Sequence, residues 1–127
     1  MRLLRFEHNK RVFSGRLHDD GSTIEVLQDV DAHDPMIALL AQTLAGDKPR
    51  SANQALRLDD VRLLAPIQRP SKNVLCVGKN YVAHAKEFNN SGYDSGATAA
   101  AIPQAPIIFS KAPCCLSGAT DDIEVPW

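Results

Sequence analysis

Within the first 65 residues, segments that alternate apolar and polar positions carry the two-residue period of half-buried strands. RVFSGRL, residues 11–17, and TIEVL, residues 23–27, flank Asp19-Asp20-Gly21-Ser22, a cluster of turn formers, and together predict a hairpin. The period then changes. Asp34 suits a helix N-cap, Pro35 suits the first helical position, and Gly46 stands where a left-handed C-terminal residue is wanted. Between these marks Met36, Ile37, Leu40 and Leu44 fall on one helical face and predict the face that enters the core. GDKPRSANQ, residues 46–54, is polar and reads as a surface connection, and LRLDDVRLLAP returns to extended character.

PIQRP marks a boundary at Pro66, so residues 1–65 read as a small N-terminal α+β domain and residues 66–127 as the start of a second. Val74-Leu75-Cys76-Val77, bounded by Asn73 and Gly78, predicts a strand buried on both faces. Asn80 is placed to cap a helix beginning at Tyr81, which Asn89-Asn90-Ser91-Gly92 ends. A Gly/Ala/Ser-rich loop follows over residues 91–104, so that 80–105 reads as a short helix with a lid-like loop. PIIFSK, residues 106–111, and DDIEVP, residues 121–126, predict two more strands.

Composition narrows the function classes. Hydrophobic residues are 44% and charged residues 23%, enough apolar material for a buried core. Fourteen basic against fifteen acidic residues leave a net charge of -1, which gives no electrostatic footprint for nucleic acid. No apolar run approaches the roughly 18 residues of a membrane span. MRLLRFEHNKR has neither the apolar core of a signal peptide nor the character of a transit helix. Cys76, Cys114 and Cys115 form no C-x-x-C or Cys/His cluster; they read as buried or half-buried free thiols in a reducing cytoplasm.

The candidate chemistry lies at His84 and Glu87. Three residues apart on a helix, they share a face, and a carboxylate on one imidazole nitrogen leaves the other free to move a proton. The same spacing also describes a solvated surface pair. Their place just after an apolar strand favours chemistry, because α/β proteins often put functional groups at such strand-to-helix turns. His8, His18 and His33 do not cluster and read as surface residues, and Asp19, Asp20 and Asp94 as turn residues.

PIQRPSKNVLCVGKNYVAHAKE and APIIFSKAPCCLSGATDDIEVP carry the motifs G-x-N-Y-x-x-H-x-x-E and P-x-x-F-x-K-x-P. In that combination residues 66–127 resemble the fumarylacetoacetate hydrolase family, in its branch of acylpyruvate hydrolases, oxaloacetate decarboxylases and hydratase or isomerase relatives. The resemblance implies an α+β, mostly β fold: the small N-terminal domain, then the first part of a mixed β-roll catalytic domain. It implies a metal-dependent hydrolase or lyase acting on C–C bonds of 2-oxo acids or 1,3-dicarbonyls. His84 would be the base that activates water and Glu87 its orienting partner; Asn80, Tyr81 and Lys111 would lie on the substrate side, Lys111 opposite an enolate or carboxylate. A hydratase, an isomerase or an oxaloacetate decarboxylase is the alternative chemistry.

The resemblance further implies Mg²⁺ or Mn²⁺, a small-molecule substrate, a cytoplasmic homodimer and no nucleic-acid or membrane partner. Its metal ligands, a Glu-x-Glu pair and a later aspartate, are expected beyond Trp127. Asp122 and Glu124 share one side of the predicted strand but lie upstream of the family's metal strand, and read as edge charges. On these grounds the chain is expected to be a truncated portion, inactive alone, or else a non-catalytic interaction or assembly module.

Overall fold

The computed structural model of the protein describes residues 1–30, 32–90 and 105–125, with the backbone alone at 88–90. Two compact units form, one of Met1–Arg69 with the segment from Leu116, the other of Pro70–Cys115. The first is built on an antiparallel sheet of β1 (Arg2–His8), β2 (Arg11–Leu17), β3 (Thr23–Leu27), β4 (Ser51–Arg57) and β5 (Arg62–Leu64), in the order β4-β3-β2-β1-β5. Helix α1 (Pro35–Leu44) joins β3 to β4.

Two turns set the register. Asn9 and Lys10, both at positive φ (50° and 62°), close the β1–β2 hairpin with His8 opposite Arg11. A two-residue loop with both residues left-handed matches the twist of the flanking strands, and asparagine tolerates that conformation better than most. The β2–β3 turn forms at the predicted residues. Gly21 takes φ +72°, and Asp20 Oδ1 accepts from the amides of Ser22 at 2.8 Å and Thr23 at 2.9 Å.

Those amides, Ser22 foremost and then Thr23, hold the Asp20 carboxyl down from its ordinary 3.8 to about 2. The lower folded value means the charged form is favoured by folding. The resulting stability is present above pH 3.8 and is lost as the pH falls through about 2. The Asp20 carboxyl resonance is therefore expected to titrate with a midpoint near 2, and Asp20→Ala to remove this part of the acid sensitivity of unfolding.

Pairing puts Leu4 and Phe6 of β1, Phe13, Gly15 and Leu17 of β2, Ile24 and Val26 of β3, Leu56 of β4 and Leu63 of β5 on one face. Phe6, Ile24 and Val26 are fully or almost fully buried there, with Leu4, Phe13, Leu17, Leu56, Leu58, Val61 and Leu63 around them. The rings of Phe6 and Phe13 stack at 5.8 Å. Gly15 leaves the space that Ile24 and Phe6 fill: a Cβ there would lie 2.6 Å from Ile24 Cγ2 and 2.8 Å from Phe6 Cε1. On the opposite face, directly opposed charges pair across the strands, Arg16 with Glu25 and Arg62 with Glu7.

Helix α1 begins and ends where predicted. Asp34 Oδ1 accepts from the amides of Met36 and Ile37, Pro35 takes the first position, and Gly46 follows the helix at φ +89°. The predicted buried stripe is corrected. Met36 and Leu39 are buried, whereas Ile37, Leu40 and Leu44 are exposed. PMIALLAQTL is apolar on nearly all sides, so helical period alone offers two stripes, and packing selects the one through Met36 and Leu39.

The polar stretch 46–54 is corrected too, because Ser51–Arg57 forms β4. Its first turn is absorbed as a bulge: the register slips between Val26 and Leu27, and Asn53 takes φ +57°. Edge position explains how Ser-Ala-Asn-Gln serves as strand, since among the described residues one side of β4 makes no ladder and its polar side chains stay wet.

In the second unit β6 (Val74–Gly78) pairs with β7 (Ile107–Lys111), and α2 (Val82–Asn90) follows β6. The expectation of a strand buried on both faces is corrected: Leu75 is 75% and Val77 48% exposed. Among the described residues β6 has β7 as its one partner, and a two-stranded ribbon covers neither of its own faces. Residues 121–125, expected in a strand, pair with no strand among the described residues, and the segment from Leu116 belongs to the first unit. The predicted lid over 91–104, with Asp94, lies outside the described residues.

Candidate active site on helix α2

Strand β6 ends at Gly78, and the chain turns into α2 through Lys79, which takes φ +50°. A left-handed conformation costs a residue with a Cβ about 1–2 kcal/mol, so this turn is specified by its surroundings. Nothing in the residue type of Lys79 announces it. The helix starts at Val82, which puts Tyr81 rather than Asn80 immediately before it; the Tyr81 carbonyl accepts from the Ala85 amide at 2.9 Å. Ala85 is fully buried, which marks the inner side of the helix.

His84 and Glu87 lie on the outer side. His84 Nδ1 stands 4.0 Å from Glu87 Oε2, with 58% and 84% of the two side chains exposed. At that distance the groups are in Coulombic reach but outside hydrogen-bond length. Tyr81, 72% exposed, lies one turn before His84, and Asn80 is exposed beside it. The imidazole is thus presented to solvent with a carboxylate at one nitrogen, an arrangement able to take up and return a proton.

Lys111 lies on β7. It pairs with Val74 at one end of the ribbon, whereas Gly78, which leads to α2, pairs with Ile107 at the other. Four residues at about 3.4 Å each put these ends about 14 Å apart along the strands. Cys76 is half-buried, but Cys114 and Cys115 are exposed, in a short 3₁₀ turn at Pro113–Cys115; the expectation of buried thiols is corrected for that pair.

Among the described residues no three His, Cys, Asp or Glu side chains converge as metal ligands. Mg²⁺ and Mn²⁺ want several oxygen donors in octahedral array. The described donors do not meet that requirement. Asp121, the best-engaged carboxylate of its segment, already accepts from Arg62 and from the Gly118 amide, and Ile123 between Asp122 and Glu124 is 88% exposed.

The family model described as Rv2993c-like, N-terminal, matches residues 1–66, half of the chain. Oxaloacetate tautomerase YisK of Bacillus subtilis is 33% identical over 104 residues, 82% of this chain and 32% of the relative. The chain belongs to the fumarylacetoacetate hydrolase family. The human mitochondrial oxaloacetate tautomerase FAHD2A is 42% identical over 67 residues, 53% of this chain and 18% of the relative. Among solved structures of similar fold, an uncharacterised protein of Mycobacterium abscessus superposes with a TM-score of 0.58 at 27% identity, covering 99% of this chain and 39% of that one. The chain therefore spans about a third of the length of the Bacillus relative. An aligned stretch of 104 residues within 127 includes residues 84–87 wherever it begins, so the His84–Glu87 pair lies inside the matched region.

Proposed function

We propose that the chain carries the proton-transfer part of a fumarylacetoacetate hydrolase family enzyme that interconverts the keto and enol forms of a 2-oxo acid, with oxaloacetate as the first substrate to test. The observation that carries this is the solvent-facing His84 imidazole with Glu87 4.0 Å from its Nδ1. Two relatives named as oxaloacetate tautomerases support the choice of reaction.

In the proposed step His84 Nε2 removes a proton from the carbon next to the keto group. The C–H pair becomes the C=C bond, and the carbonyl pair moves onto oxygen as an enolate. The imidazolium then gives its proton to that oxygen, so substrate and product differ only in the placement of one hydrogen. Glu87 accepts from Nδ1–H, fixing the tautomer and stabilising the imidazolium; catalytic hydrogen bonds are often long before substrate arrives. Tyr81 and Asn80, exposed at the start of α2, are the groups best placed to contact the substrate's polar atoms.

Hydrolysis would use the same base to deliver water to a carbonyl, so the pair serves either reaction. The relatives' names favour tautomerisation. A homodimer and a cytoplasmic location are further parts of the proposal. The full-length protein is expected to accelerate ketonisation of enol-oxaloacetate, followed by ultraviolet absorbance, more than it hydrolyses an acylpyruvate. Hydrolysis without tautomerisation would reverse the assignment, and neither activity would refute it.

A further inference from the structure

Strand β5 is three residues long and lies at the edge of its sheet, with β1 as its ladder partner. The segment from Leu116 comes up against it. Asp121 organises the contact with both carboxylate oxygens: Oδ1 accepts from Arg62 Nη1 at 2.9 Å and Oδ2 from the Gly118 amide at 2.7 Å. The Asp121 amide points back to the Gly118 carbonyl at 3.4 Å, closing a turn over 118–121. Arg62 also holds Glu7 of β1 through Nη2 at 3.0 Å, so one guanidinium ties the turn to two strands. Glu7 first, then Asp121, keeps that guanidinium above its ordinary range.

Gly118 lies so close to β5 that a Cβ would be 2.5 Å from the Leu63 carbonyl oxygen and 2.8 Å from Asp121 Oδ2. Neither neighbour is free to move, one being backbone and the other held by Arg62. Glycine is needed at 118 for this approach, although no left-handed angle is involved.

We propose that the Gly118–Asp121 turn is a latch over the open edge of β5, held shut by Arg62, which denies that edge to an incoming strand. Exposed sheet edges are templates for further pairing, and covering them with a turn is one way a chain prevents it. The ion pairs close the latch while remaining half exposed, so it is able to open without disturbing the Phe6–Ile24 core.

Amide hydrogen exchange on the full chain tests this, with sedimentation on the same samples. In wild type the Gly118 amide is expected to be protected. Arg62→Gln is expected to speed its exchange on the order of tenfold or more, as for loss of a charge-assisted bond, while the β2–β3 amides keep their rates. The variant is also expected to form assemblies larger than those of wild type at the same concentration. Should Arg62→Gln loosen the whole sheet, Gly118→Ala, which leaves every charge in place, applies the same test. A Gly118 amide unprotected in wild type, unchanged exchange over 116–121 in the variant that keeps its sheet, or faster exchange without assemblies larger than those of wild type would overturn the proposal.

Discussion

Phe6→Ala is expected to lower the unfolding free energy of the N-terminal unit by about 3–5 kcal/mol, the range for truncating a buried aromatic residue. Phe6 is fully buried at the centre of its sheet, stacked on Phe13 and wedged beside Gly15 and Ile24. The strands on which it depends cannot move into the hole, because their ladders fix them on both sides of β1. A unit of this size has about 5–10 kcal/mol of total stability at best, so the loss removes a large part of it. Urea unfolding followed by circular dichroism measures it. Gly15→Ala approaches the same point from the opposite direction: the added methyl overlaps Ile24 and Phe6, and overpacking is expected to cost about 1–3 kcal/mol in the same assay. A loss below about 1 kcal/mol for Phe6→Ala would mean that the core is not organised around this ring.

His84→Ala in the full-length protein is expected to reduce kcat for keto–enol interconversion of oxaloacetate about 10²–10⁴-fold, the range for a positioned general base. The side chain is 58% exposed, so its removal should leave the fold intact, and circular dichroism of the variant serves as the control. Glu87→Gln is expected to act in the same direction by a smaller factor, since it retains the side-chain shape and loses the charge that supports the imidazolium. KM should change little in both, because neither group holds the substrate in the proposed step. Unchanged turnover in His84→Ala would return the pair to the role of an ordinary wet helix face.

Much of the site's local geometry was legible beforehand. Helical spacing alone put His84 and Glu87 on one face, and the apolar run ending at Gly78 located the preceding strand. The left-handed Lys79 between them was not legible, because a lysine carries no mark of the conformation its neighbours impose. Nor was the position of Lys111. Its spacing from Phe109 was plain, but only the register of β7 on β6 shows that it stands at the opposite end of the ribbon from the turn that leads into α2.

The sequence by itself determined the features whose causes are local: the Asp20 turn, the Asp34 cap with Pro35 behind it, the Gly46 stop and the alternating strands β2 and β3. Each depends on a side chain meeting a backbone group a few residues away, and residue type and spacing suffice to specify such contacts. The tertiary structure alone decided which stripe of α1 is buried, that Ser51–Arg57 serves as an edge strand, and that Gly118 and Asp121 dock on Leu63 and Arg62. Those outcomes join positions up to 59 residues apart, where many alternatives satisfy the same local pattern and only packing and charge pairing in the assembled fold select among them.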